Sequence, residues 1–79
     1  MIIWWMSFAD DSGFLGACLV ETPTDDPRSA VVESYRQGCN PGGEVKMMPV
    51  PRLADGYELN KLYSKADLAA IDGEEPTRW

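Results

Sequence analysis

Arg36-Gln37-Gly38-Cys39-Asn40-Pro41-Gly42-Gly43-Glu44-Val45 decides the fold, because a helix ends and a strand begins inside it. Gly38 stands where a helix closes in the left-handed conformation that glycine adopts without strain. Asn40-Pro41-Gly42-Gly43 predicts a type II turn: Pro41 presets φ at the first central position, and Gly42 takes a positive φ at the second. Tight turns aim backbone N–H groups at one point. The stretch therefore has two readings. In one it is an anion nest, with Arg36 one turn earlier supplying a fork of donors. In the other it is a helix cap followed by a chain reversal. A helix C-terminus presents the wrong end of the dipole to an anion, which favours the second. The stretch is not a Walker loop, since no Lys-Ser/Thr pair ends it, and it is not GxGxxG.

Downstream, Glu44-Val45-Lys46-Met47-Met48-Pro49-Val50 alternates as a third strand. Pro49 cannot donate to a ladder, so this strand belongs at a sheet edge. Pro51–Gly56 reads as loop. Tyr57–Tyr63 is ambiguous between an extended piece and a helical turn. Ser64-Lys65-Ala66-Asp67 resembles a capping box with Asp in place of Glu, and a helix is expected over Lys65–Ile71. Upstream, Asp26 fits an N-cap and Pro27 the first helical position, predicting a helix to about Gln37. Ala30, Val31, Ser34 and Tyr35 form its apolar stripe, with Val32 beside it.

Two strands precede that helix. Ile2–Phe8 is apolar on both faces, with Ile2, Trp4, Met6 and Phe8 pointing one way and Ile3, Trp5 and Ser7 the other. Such a strand asks to be central and covered on both sides. Ala9–Gly13 predicts a five-residue hairpin loop, and Phe14–Glu21 the second strand. The small Gly16 and Ala17 read as room for the tryptophans, with a bulge as the alternative. The order is strand, strand, helix, strand, short helix. This predicts an α+β domain over residues 1–72, a ββαβ(α) arrangement with sheet order 2-1-3, the main helix on one face and a short C-terminal helix, followed by a tail over 73–79. One helix covers one face only. The other needs the C-terminal segment or a second subunit, and an exposed tryptophan there would be a large apolar patch. A homo-oligomer is the expectation.

Composition narrows the chemistry. The chain has 79 residues, net charge −6, two cysteines and no histidine. The acidity argues against direct DNA or RNA binding. Absence of histidine removes Ser-His and Cys-His catalysis and most zinc sites. Met1–Phe8 is too short to span a membrane and lacks the basic start of a signal peptide, so a reducing cytoplasm is the default. No cofactor is expected. Cys18 and Cys39 read as packing residues, and a catalytic Cys39 has only Arg36 nearby to activate it. Asp10-Asp11 and Asp25-Asp26 read as turn and cap residues ahead of metal ligands. The candidate ligand contacts are Trp5 and Ser7 as a stacking and hydrogen-bonding wall, Arg36 as the charge, and Asn40, Gly42 and Gly43 as polar and backbone contacts. For the tryptophans the alternative is core for one and interface for the other, since neighbours on a strand face opposite ways.

Trp4-Trp5-x-Ser7-Phe8-x-Asp10, then Phe14-Leu15-Gly16, Val20-Glu21 and Gly38-Cys39-Asn40-Pro41-Gly42-Gly43-Glu44-Val45, resembles a family of small uncharacterised phage and bacterial proteins over residues 4–71. The resemblance carries no activity. It implies a bacterial host cell as the setting. By analogy with small phage proteins that trap nucleotide-derived immune signals without cleaving them, it suggests an anti-defence role. The expected function is thus non-enzymatic binding of a nucleotide-derived small molecule. The alternative is a protein–protein interaction module or inhibitor whose acidic surface and apolar sheet face dock on a basic partner.

Overall fold

A computed structural model describes residues 1–72, so the tail expected over 73–79 lies outside the described residues. Strand β1 (Ile2–Asp10) and strand β2 (Gly13–Thr22) form a hairpin; helix α1 (Pro27–Arg36) follows, then strand β3 (Glu44–Val50) and helix α2 (Lys65–Asp72). The sheet order is β2-β1-β3, and β1 pairs antiparallel with both neighbours. This is the mixed α+β arrangement that the two-faced β1 asked for, with its apolar strand at the centre.

The hairpin is tighter than the sequence suggests. Asp10 still pairs with Gly13, so the connection is Asp11-Ser12 alone. The Asp10 carboxylate accepts the Ser12 N–H at 2.8 Å and the Ser12 hydroxyl, and these bonds, the hydroxyl's foremost, hold its pKa below the ordinary carboxylate value. The register slips between Phe8 and Ala9, which leaves Leu15 as an extra residue in β2, a bulge.

Two cores lie on the two faces of β1. On one face Trp4, Met6, Phe8, Cys18 and Val20 pack with Ala30 of α1 and with Cys39. Asp26 caps α1 by accepting the Arg28 N–H at 3.0 Å, with Pro27 at the first helical position. The buried stripe of α1 is narrower than its apolar residues suggest. Ala30 and Ser34 are buried, whereas Tyr35 is 63% exposed and faces solvent. The Trp4 indole donates to Thr22 Oγ1 at 2.9 Å, and the Thr22 hydroxyl donates to the Thr24 carbonyl at 2.6 Å, so both buried groups are satisfied.

On the other face Trp5, Ala17 and Leu19 pack under Tyr63 and Leu68, with Leu53, Tyr57, Leu59 and Ile71 around them. The chain's own C-terminal segment therefore covers this face. Tyr57–Tyr63 resolves as extended at its end: Ala17 N–H donates to the Tyr63 carbonyl at 2.9 Å, Tyr63 N–H returns to Ala17 at 2.7 Å, and Asn60 N–H donates to the Leu19 carbonyl at 2.7 Å. These bonds seal the outer edge of β2. Gly16 makes room for this segment and not for the tryptophans. A Cβ there would lie 2.8 Å from Leu62 Cδ1 and 3.0 Å from the Tyr63 carbonyl oxygen. The capping box of α2 forms with Asp67: its carboxylate accepts the Ser64 N–H at 2.9 Å, and its own N–H donates to Ser64 Oγ at 3.1 Å.

Candidate functional site

The loop after α1 is built to close the helix. Cys39 N–H donates to the Ser34 carbonyl at 3.0 Å and Gly38 N–H to the Tyr35 carbonyl at 3.1 Å, the paired bonds of a Schellman ending with Gly38 at φ 72°. Buried Ser34 then holds the following loop. Its hydroxyl donates to the Val31 carbonyl at 2.6 Å and accepts the Asn40 side-chain amide at 2.9 Å. Asn40 Oδ1 accepts the Gly42 N–H at 2.8 Å, so a side-chain turn closes this reversal. Gly42 has the positive φ expected of it, 89°. Gly43, at φ 77°, passes so close to the Ala9 carbonyl that a Cβ would collide with it.

These bonds place the sequence candidates in separate regions. Asn40 and the Gly42 amide are committed to each other and to Ser34. Gly43 lines an open, acidic hollow with Asp10, Asp11 and Glu44. Arg36 is exposed and pairs with Glu33 at 3.2 Å, lining a groove with Arg28 and Val32 on the α1 side. Trp5 and Ser7 lie on the opposite face of the sheet, under the C-terminal segment. The six residues do not form one site.

Trp5 is central to a different arrangement. Two hollows adjoin on the C-terminal-segment face and share Trp5 and Met48. The larger, about 280 Å³, is lined by Trp5, Leu19, Met48, Val50, Arg52, Ala54 and Tyr57. The smaller, about 100 Å³, is lined by Trp5, Ser7, Lys46, Met47 and Met48. They exist because the covering segment here is irregular chain. It reaches the β2 side of the sheet and leaves the β3 side, where Met48 is 45% exposed, partly bare. Trp5 meets Tyr57 edge to face at 6.0 Å, and Tyr57 meets Tyr63 similarly at 5.3 Å. The Tyr63 hydroxyl accepts the Glu58 N–H at 2.7 Å, which fixes the backbone next to Tyr57. Arg52, exposed, is the charged residue lining the larger hollow. The sequence does not single out Arg52 and Tyr57, because they lie in a stretch without periodicity. The signal available was a cation and an aromatic flanking the one loop that follows the edge strand.

The thiols are buried together on the α1 face. Burial foremost, and then the neighbouring Cys39, push the Cys18 thiol well above its ordinary value, so it stays protonated. Cys39 Sγ–H donates to the Ser34 carbonyl at 3.6 Å. Among the described residues no three cysteine or acidic side chains gather as metal ligands, and no helix is long and apolar enough to cross a membrane.

Fold and site together define a small α+β domain with a half-covered aromatic sheet face beside an arginine. Comparison with protein-family models, with curated proteins and with solved structures found no match. The resemblance to small phage and bacterial proteins rests on its sequence pattern alone.

Proposed function

We propose that the protein binds a phosphate-bearing, aromatic small molecule of the nucleotide class, without turning it over, in the hollow between Trp5, Tyr57 and Arg52. The observation that carries this reading is the placement of an exposed guanidinium beside an aromatic, largely apolar floor. Guanidinium groups match phosphate oxygens with paired donors, and aromatic walls receive a base. The volume, about 280 Å³, is just under the ~300–1,000 Å³ usual for ligand sites. It suits a base, with the phosphates held at the rim by Arg52. Binding without chemistry is supported by the makeup of the hollow. Among the described residues its lining holds no carboxylate, no hydroxyl nucleophile other than the Tyr57 phenol, and no thiol, and the chain has no histidine.

Intrinsic tryptophan fluorescence and thermal shift against a panel of mononucleotides, cyclic nucleotides and dinucleotides test this. At least one member is expected to bind, with affinity reduced about tenfold or more in Arg52→Ala, the loss of one charge-assisted contact. Arg36→Ala, on the far side of the sheet, leaves affinity unchanged. A panel that gives no binding, or binding indifferent to Arg52→Ala, refutes the proposal.

A further inference from the structure

Trp4 and Trp5 are buried, so neither gives a reason for self-association. Among the described residues the outer edge of β3 gives one, since no backbone bond from another segment reaches it. Ala17 and Leu19 direct their backbone groups outward to Tyr63 and Asn60. Their partners across β1, Ser7 and Trp5, therefore direct theirs to β3, toward Lys46 and Met48. By alternation Val45, Met47 and Pro49 turn their backbone groups away from the sheet. Pro49, with no N–H, sits where none is needed, and it blunts that end of the edge. The Val45–Met47 end still presents two N–H groups and two carbonyls, with no described segment on it comparable to the one that seals β2.

We propose that a second copy of this chain pairs antiparallel with this edge, β3 to β3, about a two-fold axis at Val45. Registers centred on Val45, Lys46 or Met47 keep the same faces aligned and use this end of the edge. A register centred on Met47 sets Val45 opposite Pro49, which returns no N–H. One centred on Lys46 sets two lysines directly opposite, which is destabilising. The register centred on Val45 lets each Val45 give and receive a backbone bond. It also sets Glu44 opposite the other copy's Lys46, twice. Glu44 and Lys46 are both exposed and share the face away from α1. Their opposite charges two residues apart make the strand complementary to itself. Val45, packed against the α1-side core, extends that core across the axis. A ladder this short gives a weak, concentration-dependent dimer.

Sedimentation velocity over a concentration series tests the pairing, with circular dichroism confirming the fold of each variant. Wild type is expected to move from monomer toward dimer as concentration rises. Glu44→Lys alone and Lys46→Glu alone each stay monomeric, because both cross-axis pairs become like charges. An equimolar mixture of the two variants dimerises, since every pair is then Glu opposite Lys. A wild type that stays monomeric throughout, or single variants that dimerise as wild type does, or a mixture that stays monomeric overturns the proposal. The nucleotide hollow is unaffected by these outcomes: its test reads Arg52, which takes no part in the pairing.

Discussion

The two faces of the sheet are covered in different ways. On the α1 face a regular helix lays Ala30 and Ser34 over Trp4, Met6, Phe8, Cys18 and Val20, all of them buried. On the other face one irregular segment and a short helix cover Trp5, Ala17 and Leu19, and a hollow remains beside β3. A helix presents side chains at a fixed spacing and fills a sheet face evenly. An extended segment holds on by a few backbone bonds and isolated side chains, and leaves gaps between them. The second face is therefore where the proposed nucleotide hollow lies.

The largest effect expected from that contrast is at Tyr63. It is fully buried, bridges Ala17 through its backbone and receives the Glu58 N–H on its hydroxyl. Tyr63→Ala is expected to cost about 3–5 kcal/mol, the range for a large aromatic in a core. Urea unfolding measures it, and a loss under about 1 kcal/mol would show that the segment is not part of the cooperative fold.

A smaller effect separates the faces. Gly16→Ala puts a methyl against Leu62 and the Tyr63 carbonyl, at a φ of 152° that L side chains rarely adopt, an overpacking of about 1–3 kcal/mol with backbone strain added. Hydrogen exchange in this variant should rise over residues 57–72 while α1 keeps its protection. Equal loosening of α1 would mean that the faces do not open independently.

The α1 face carries an alkaline pH dependence. Cys18 is buried with its thiol pKa raised, so the unfolded state ionises first as pH rises. Stability is full below the thiol's ordinary pKa of about 8.5 and falls above it, by up to about 1.4 kcal/mol per pH unit for this one group. Cys18→Ala should flatten that alkaline slope in thermal melts, and an unchanged slope would assign it elsewhere.

The fold was legible because its signals are local. The two-faced apolar run of β1, the Asp26-Pro27 start, the Gly38 stop and Pro49 on an edge each act within a few residues. The Ser64/Asp67 box was legible for the same reason. Tyr57–Tyr63 was not, because its conformation is set by Ala17 and Leu19, about forty residues away in the chain. Gly16 was misread for the same cause: the atoms it makes room for belong to that distant segment. Among the candidate residues, Arg36, Asn40 and Gly42 drew attention because they stand together in sequence. Their hydrogen bonds turn inward on Ser34 and Glu33. Trp5 was found from the two-faced strand, whereas Arg52 and Tyr57 meet it only through the tertiary fold.

The most direct test of the account is a backbone and indole NMR titration of the folded protein with a nucleotide that shifts its melting temperature. Shifts are expected at Trp5, Met48, Arg52 and Tyr57, with the amides of Arg36–Gly43 unmoved. Shifts centred on Asn40, Gly42 and Gly43 would place binding in the loop after α1 and contradict it.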